Sequence, residues 1–231
     1  QVMGAGTLVV SIGNGTTTNT TTGTPTPYGT YYKNFRQQYL FTAAEIMAAG
    51  GAPGLITALA FDVQNVNTCS PMPNYTMRLK NTQQTVLTTT FEVGDYTQVW
   101  YQNDFLPVTG WNTHALSTPF QWDGVSNILV DIFTSLIPGA YTQNASVYYT
   151  ATTGVNTCLR YQNDTVEAST ATTGTLSVNR ANIRISMSVV GMGALNGVVS
   201  SGGSPVADVD VVIADTIHST QTDALGQYNF P

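Results

Sequence analysis

The sequence predicts an all-β protein: an antiparallel β-sandwich or jelly roll with one short helix, then a second, smaller β-sandwich that is left incomplete. Three observations predict it. Apolar and polar residues alternate in short runs; Tyr75, Met77 and Leu79 share one face, Thr76, Arg78 and Lys80 the other. Gly, Pro and Asn turns separate about ten such runs. Near Val190 the texture changes, which divides the chain into residues 1–190 and 191–231.

Taken in order, residues 7–12 read as the first strand. The stretch 13–26 (GNGTTTNTTTGTPT) has no apolar period and reads as a Thr-rich exposed loop or flexible arm, with its end at residue 27. A strand is expected over 37–41. Thr42-Ala43-Ala44-Glu45 is a capping box, so a helix of about two turns follows through Ala49. Gly50-Gly51 supply its stop and Pro53 prevents a restart. Residues 55–63 are apolar on both faces except at Thr57 and Asp62, as a central strand requires. SNILVDIFT, 126–134, reads the same way. Further strands are expected over 75–80, 86–92, 98–101, 113–116, 145–150, 159–162 and 183–190.

Gly191-Met192-Gly193 reads as a hinge. The unit beyond it carries four Asp and no Lys or Arg, so it holds most of the net charge of −6. It stops at Pro231, too soon to close a sandwich. The expectation is a piece of a longer modular protein, or a unit completed by a neighbour's strand.

Composition narrows the class. Charged residues make up only 9%, against about 25% in ordinary domains. Seven Lys and Arg against thirteen Asp and Glu leave no basic patch for a phosphate backbone, so no nucleic-acid partner is expected. No apolar run is long enough for a membrane-spanning helix. Two His and two Cys leave little for a transition-metal site or a triad. Gln1 reads as a mature N-terminus exposed by cleavage. Low Lys and abundant Thr then point outside the cell, at the cell surface. In an oxidising compartment Cys69 and Cys158 are expected to form one disulfide; the alternative is two buried thiols.

Two family resemblances follow. Gly197-Val198-Val199, Pro205-Val206, Val209–Val211 and the run TDALGQYNF at 222–230 resemble the start of a carboxypeptidase-regulatory-like domain, a small Ig/transthyretin-like β-sandwich. That resemblance implies an accessory or stalk module without catalytic residues. The first unit resembles the N-terminal β-sandwich of surface and secreted proteins of Bacteroidota, often exported by the type IX system. YLFTAAEIMAAGGAPGLITALAF (39–61), GWNTHALSTPFQWDGVSNILV (110–130), NASVYY (144–149) and NRANIRI (179–185) carry the likeness. It implies adhesion or surface structure with no established active site. Asp164-Thr165-Val166 and Asp215-Thr216-Ile217 resemble the O-glycosylation motif of the same phylum, which implies modification at Thr165 and Thr216.

Chemistry is sparse. His114 and His218 sit beside no recognisable nucleophile, and no spacing makes a catalytic pair of Asp95, Asp104, Asp123 and Asp131. Asp131 lies mid-strand, where an Arg partner is expected. No enzyme and no cofactor are expected; a structural Ca²⁺ at loop-placed Asp95, Asp104 or Asp123 is a minor alternative. The aromatic residues Trp100, Tyr101, Trp111, Trp122, Tyr148 and Tyr149 form the best binding surface on offer, suited to stacking on sugars. Two functions follow from these readings. One is an adhesive or structural surface module that self-associates or docks neighbouring β-domains, as a filament protomer built by strand complementation. The other is a carbohydrate-binding accessory module of a larger secreted enzyme. Lys33 and Lys80 are the only lysines, so residues 191–231 cannot form an internal Lys–Asn bond.

Overall fold

The structure, a computed structural model, describes residues 5–190, 195–214 and 219–230. The described chain is antiparallel β almost throughout and divides into a larger unit, Thr7–Ser188, and a smaller one that joins the described residues up to Gly6 to those from Val189 onward.

The larger unit is a sandwich whose strands are β1 (Ala5–Ile12), β2 (Thr17–Thr18), β3 (Asn34–Phe41), β4 (Gly54–Asn65), β5 (Tyr75–Thr82), β6 (Thr97–Gln102), β7 (Gly110–Trp122), β8 (Asn127–Thr134), β9 (Ser146–Ala151), β10 (Cys158–Asn163), β11 (Thr175–Ser177), β12 (Asn179–Ala181) and β13 (Ile183–Val190). One six-stranded sheet runs β11-β10-β3-β8-β5-β6; a seven-stranded one runs β1-β13-β4-β9-β12, with β7 beside β4 and β2 beside β9. The chain passes repeatedly from sheet to sheet, as in a jelly roll. The helix α1 (Ala43–Ala48) joins β3 to β4. Its capping box forms: the Glu45 amide donates to Thr42 Oγ1, and the Thr42 amide donates to Glu45 Oε2. Gly50 then takes a φ of +88°.

The inner faces meet through Tyr39, Phe41, Ile56, Leu59, Phe61, Tyr75, Met77, Ile128, Val130, Ile183 and Ile185, all essentially buried. Tyr39 and Phe61 lie 6.0 Å apart across the layers. An aromatic cluster of Tyr28, Tyr75, Trp100 and Phe105 surrounds His114. His114 shares a 2.8 Å hydrogen bond with the Tyr28 hydroxyl. Burial pushes its imidazole down to about 3.

The outer face of the six-stranded sheet is covered as well. Residues 86–92, expected as a strand, instead cross over that face. Leu87 and Phe91 pack there with Leu40, Leu129, Leu159 and Ala171. All eight residues of β3 are therefore buried, polar ones included. At the centre Asp131 is wholly buried and accepts from Arg36 Nε at 2.8 Å and Arg78 Nη2 at 2.5 Å. Arg36 Nη1 also donates to the Ala171 carbonyl, and its guanidinium lies 4.3 Å above the Phe91 ring. Gln38 accepts from the Glu92 amide and donates back to the Glu92 carbonyl.

The Thr-rich segment departs from its expected freedom. Thr17 and Thr18 pair with Tyr149 and Tyr148. Asn19 is buried and completes the edge like a peptide group: its amide donates to Ala145 O, and its carbonyl accepts from Val147 N. Polar side chains that satisfy a sheet edge look like low complexity in a sequence.

In the smaller unit β14 (Leu195–Val198) pairs with β19 (Gln227–Phe230), β15 (Ser200–Ser201) with β16 (Ser204–Pro205), and β17 (Asp210–Val212) with β18 (Ser219–Gln221). The TDALGQYNF run has a local reason. Asp223 Oδ1 accepts from the Leu225 and Gln227 amides, and Thr222 Oγ1 accepts from Val209 N and donates to Val206 O.

Two outcomes follow. Asp131→Ala strands Arg36 in the interior and is expected to cost about 3–5 kcal/mol in urea unfolding. His114 is neutral when folded and titrates near the ordinary 6.5 when unfolded. Its contribution to stability is whole above pH 6.5 and is lost as pH falls from there toward 3. Between pH 6.5 and 5 stability is expected to fall by up to about 1.4 kcal/mol per pH unit, a slope that His114→Gln flattens.

Candidate functional site

The seven-stranded sheet forks at Asp62. Up to Phe61, β4 pairs with β13; from Val63 it pairs with β9. Asn182 plugs the fork from the β12–β13 junction. Its backbone amide donates to Tyr148 O, its side-chain amide donates to Gly15 O, and its Oδ1 accepts from Thr150 Oγ1. Thr150 Oγ1 in turn accepts from the Asn14 and Gly15 amides. The turn at 13–16 is thereby pinned to the sheet. A Cβ on Gly13 would strike Asn182 Oδ1, and one on Gly15 would strike Tyr149 O. Gly13 also holds a φ of +91°.

Over this fork lies a groove of about 520 Å³, walled by Trp111, Tyr148, Asp62, Arg184, Asn182 and the 11–16 turn. Register explains its composition. Trp111 stands opposite Asp62 on β4, and Arg184 stands opposite Ala60. The small Ala60 lets the Arg184 side chain cross β4, so that its guanidinium lies 4.0 Å from the Trp111 ring centroid. Burial pushes the Asp62 carboxyl up, and the Arg184 charge pulls it part of the way back. Among the described residues neither the Asp62 carboxylate nor the Arg184 guanidinium has a hydrogen-bond or ion-pair partner, whereas the Asn182 side chain is fully engaged.

Of the six aromatic residues read as a binding face, Trp111 and Tyr148 line this groove. Trp122 is completely buried and donates from its indole to Ser126 O at 2.7 Å. Trp100 is half-buried, with its ring 4.5 Å from that of His114. Tyr101 is exposed on β6, in the other sheet, and donates to Asn74 Oδ1. The separating signal is parity along β7. Trp122 falls on the face of Asn112, His114 and Leu116, which are buried, while Trp111 shares the opposite parity with Thr113 and Ala115. Arg184 was visible the same way, between Ile183 and Ile185, but sequence reading did not select it.

The remaining expected sites scatter. Cys69 and Cys158 are both free, which corrects the expected disulfide. The reason is placement. Cys158 sits on β10 inside the sandwich, 3.4 Å from Gln37 Oε1, whereas Cys69 lies in the connection after β4, beside Thr30 Oγ1 and the Tyr28 carbonyl. Burial pushes both thiols up, Cys158 to about 12. Asp123 spends its carboxylate on the Val125 and Ser126 amides and the Ser126 hydroxyl, while Asp95 and Asp104 occupy separate turns with φ of 54° and 56°. Among the described residues no three acidic, His or Cys side chains gather as a metal site. Thr165 is exposed and donates to Asn163 Oδ1. Thr216 and His218 lie outside the described residues. A second concavity, about 560 Å³, lies beside β14 and β19. Its one carboxylate, Asp223, is already committed to its own turn.

Native protein is expected to react slowly with a thiol reagent at Cys69 and not at Cys158, and denatured protein to show two thiols without reductant. A single accessible thiol or none after denaturation contradicts the free pair.

No family model and no curated protein matches the chain. Among solved structures it is similar to the cysteine protease and lectin-like domains of Cwp84, a surface layer associated protein of Clostridium difficile, at 7% identity and a TM-score of 0.41. The likeness covers 68% of this chain and 32% of that one, so the chain spans about a third of that structure.

Proposed function

We propose that the larger unit is a carbohydrate-binding, adhesive module of an extracellular surface protein, and that the glycan seats in the groove over the β4 fork. One observation carries this reading: a preformed groove presents two aromatic walls beside a carboxylate and a guanidinium that bond to nothing else among the described residues. Sugars offer both apolar C–H faces and closely spaced hydroxyls, so they suit rings flanked by unspent donors and acceptors. The pinned 13–16 turn lowers the cost of ordering the site on binding. The composition supports a location outside the cell. As an accessory module the unit has no catalytic role in this reading.

A second reading concerns the smaller unit. Leu195, Val198, Val212 and Leu225 are largely exposed there, which favours docking of another β-domain or a second copy. Concentration-dependent sedimentation of the chain tests it.

Trp111→Ala is expected to weaken glycan binding at least tenfold in calorimetry while leaving the thermal melt nearly unchanged. Trp122→Ala is expected instead to destabilise the fold by about 3–5 kcal/mol. Equal binding by wild type and Trp111→Ala overturns the groove as the site.

A further inference from the structure

The seven basic side chains of the protein divide unequally. Arg36 and Arg78 bond to Asp131, Lys80 to Glu92, and Arg180 to Glu45. Arg160 donates to Thr24 Oγ1 and Lys33 to Gly139 O. Arg184 alone donates to no protein oxygen among the described residues, although its guanidinium is held against the Trp111 ring. Stacking on an indole fixes the plane of a guanidinium without using any of its five N–H donors. What remains is an oriented fork, exposed at the wall of a groove and matched in shape to a planar or tetrahedral oxyanion.

We infer that the groove selects an anionic glycan, with the carboxylate or sulfate of the sugar on Arg184 and its neighbouring hydroxyls on Asp62. This rests on the glycan-binding reading above. Asp62 decides between a sugar and a free anion. A small anion in the groove meets the Asp62 carboxylate without offering it a hydrogen. An acidic sugar offers hydroxyl donors to Asp62 while its charge lies on the guanidinium. The two side chains thus ask for an oxyanion and a donor on one ligand. Trp111 and Tyr148 supply the apolar walls.

The test is calorimetry of the full chain with three oligosaccharides of equal length: a hexuronate, a sulfated neutral sugar and its unsulfated form. The expected result is binding of one or both acidic ligands at least tenfold tighter than the neutral one, with a clear decline as salt rises. Which acidic ligand wins identifies the oxyanion. Arg184→Gln is expected to remove that preference, and Arg184→Lys to restore only part of it because an ammonium has no fork. Asp62→Asn is expected to weaken the acidic sugars several-fold. Lys33→Gln, which changes net charge equally at another place, is expected to change nothing. Arg184 is exposed, so the variants are expected to melt with the wild type. Equal affinity for neutral and acidic sugars, or a preference that survives Arg184→Gln, overturns this inference and leaves the glycan-binding reading standing. Binding of none of the three overturns the inference, and failure across a broader neutral panel overturns the parent reading with it.

Discussion

Asp131 is the fixed point of the larger unit. A wholly buried carboxylate needs opposite charge close by, and here two guanidiniums supply it from the strands on either side, β3 and β5. The demand propagates outward. Arg36 must itself be shielded, and the carbonyl of Ala171 and the ring of Phe91 do so. Those two residues belong to the connections that cross the outer face of the sheet. Closing the ion pairs therefore places both coverings, and Gln38 fastens the first of them through the Glu92 backbone. The apolar cluster beneath adds burial, but burial alone does not choose a position. The paired charges do.

The groove has an equally local origin. β4 is longer than any single neighbour on that side, so β13 and β9 share it and part company at Asp62. A fork of this kind leaves backbone groups without ladder partners. Asn182 donates from its backbone amide to Tyr148 O and from its side-chain amide to Gly15 O, and its Oδ1 holds the Thr150 hydroxyl that binds the 13–16 turn. The wall of the groove is thus made by repairing the sheet. Its floor stays low because the outward residues of β4 near the fork include Ala58 and Ala60.

Much of the fold was legible because it depends on local alternation. The central positions of β4 and β8, the capping box at Thr42 and the stop at Gly50 follow from nearest neighbours along the chain. What was not legible depends on distant partners. An Arg partner for Asp131 was expected from its place in mid-strand, but Arg36 and Asp131 are far apart in sequence, and nothing near either one says which Arg it is. Residues 86–92 carry a strand's apolar content, yet Leu87 and Phe91 find their places on another element. The Thr-rich stretch hid Asn19, whose side chain acts as a piece of backbone only once β9 lies beside it. Cysteine spacing says nothing about the layer in which a thiol ends. The aromatic residues that the sequence groups together do not gather in the structure. Trp100, Trp111 and Trp122 look alike in a list of aromatics, and only the parity of β7 and the depth of each side chain tell them apart.

The covered sheet has a consequence for presentation. Within the larger unit one broad β-surface is roofed by its own connections, while the groove opens on the opposite sheet. If the groove binds glycan as proposed, the unit is directional: among the described residues of this unit, its groove opens on one face. Strength on a repetitive surface then comes from copy number and from the spacing between copies, because each unit contributes one contact and the gain lies in effective concentration.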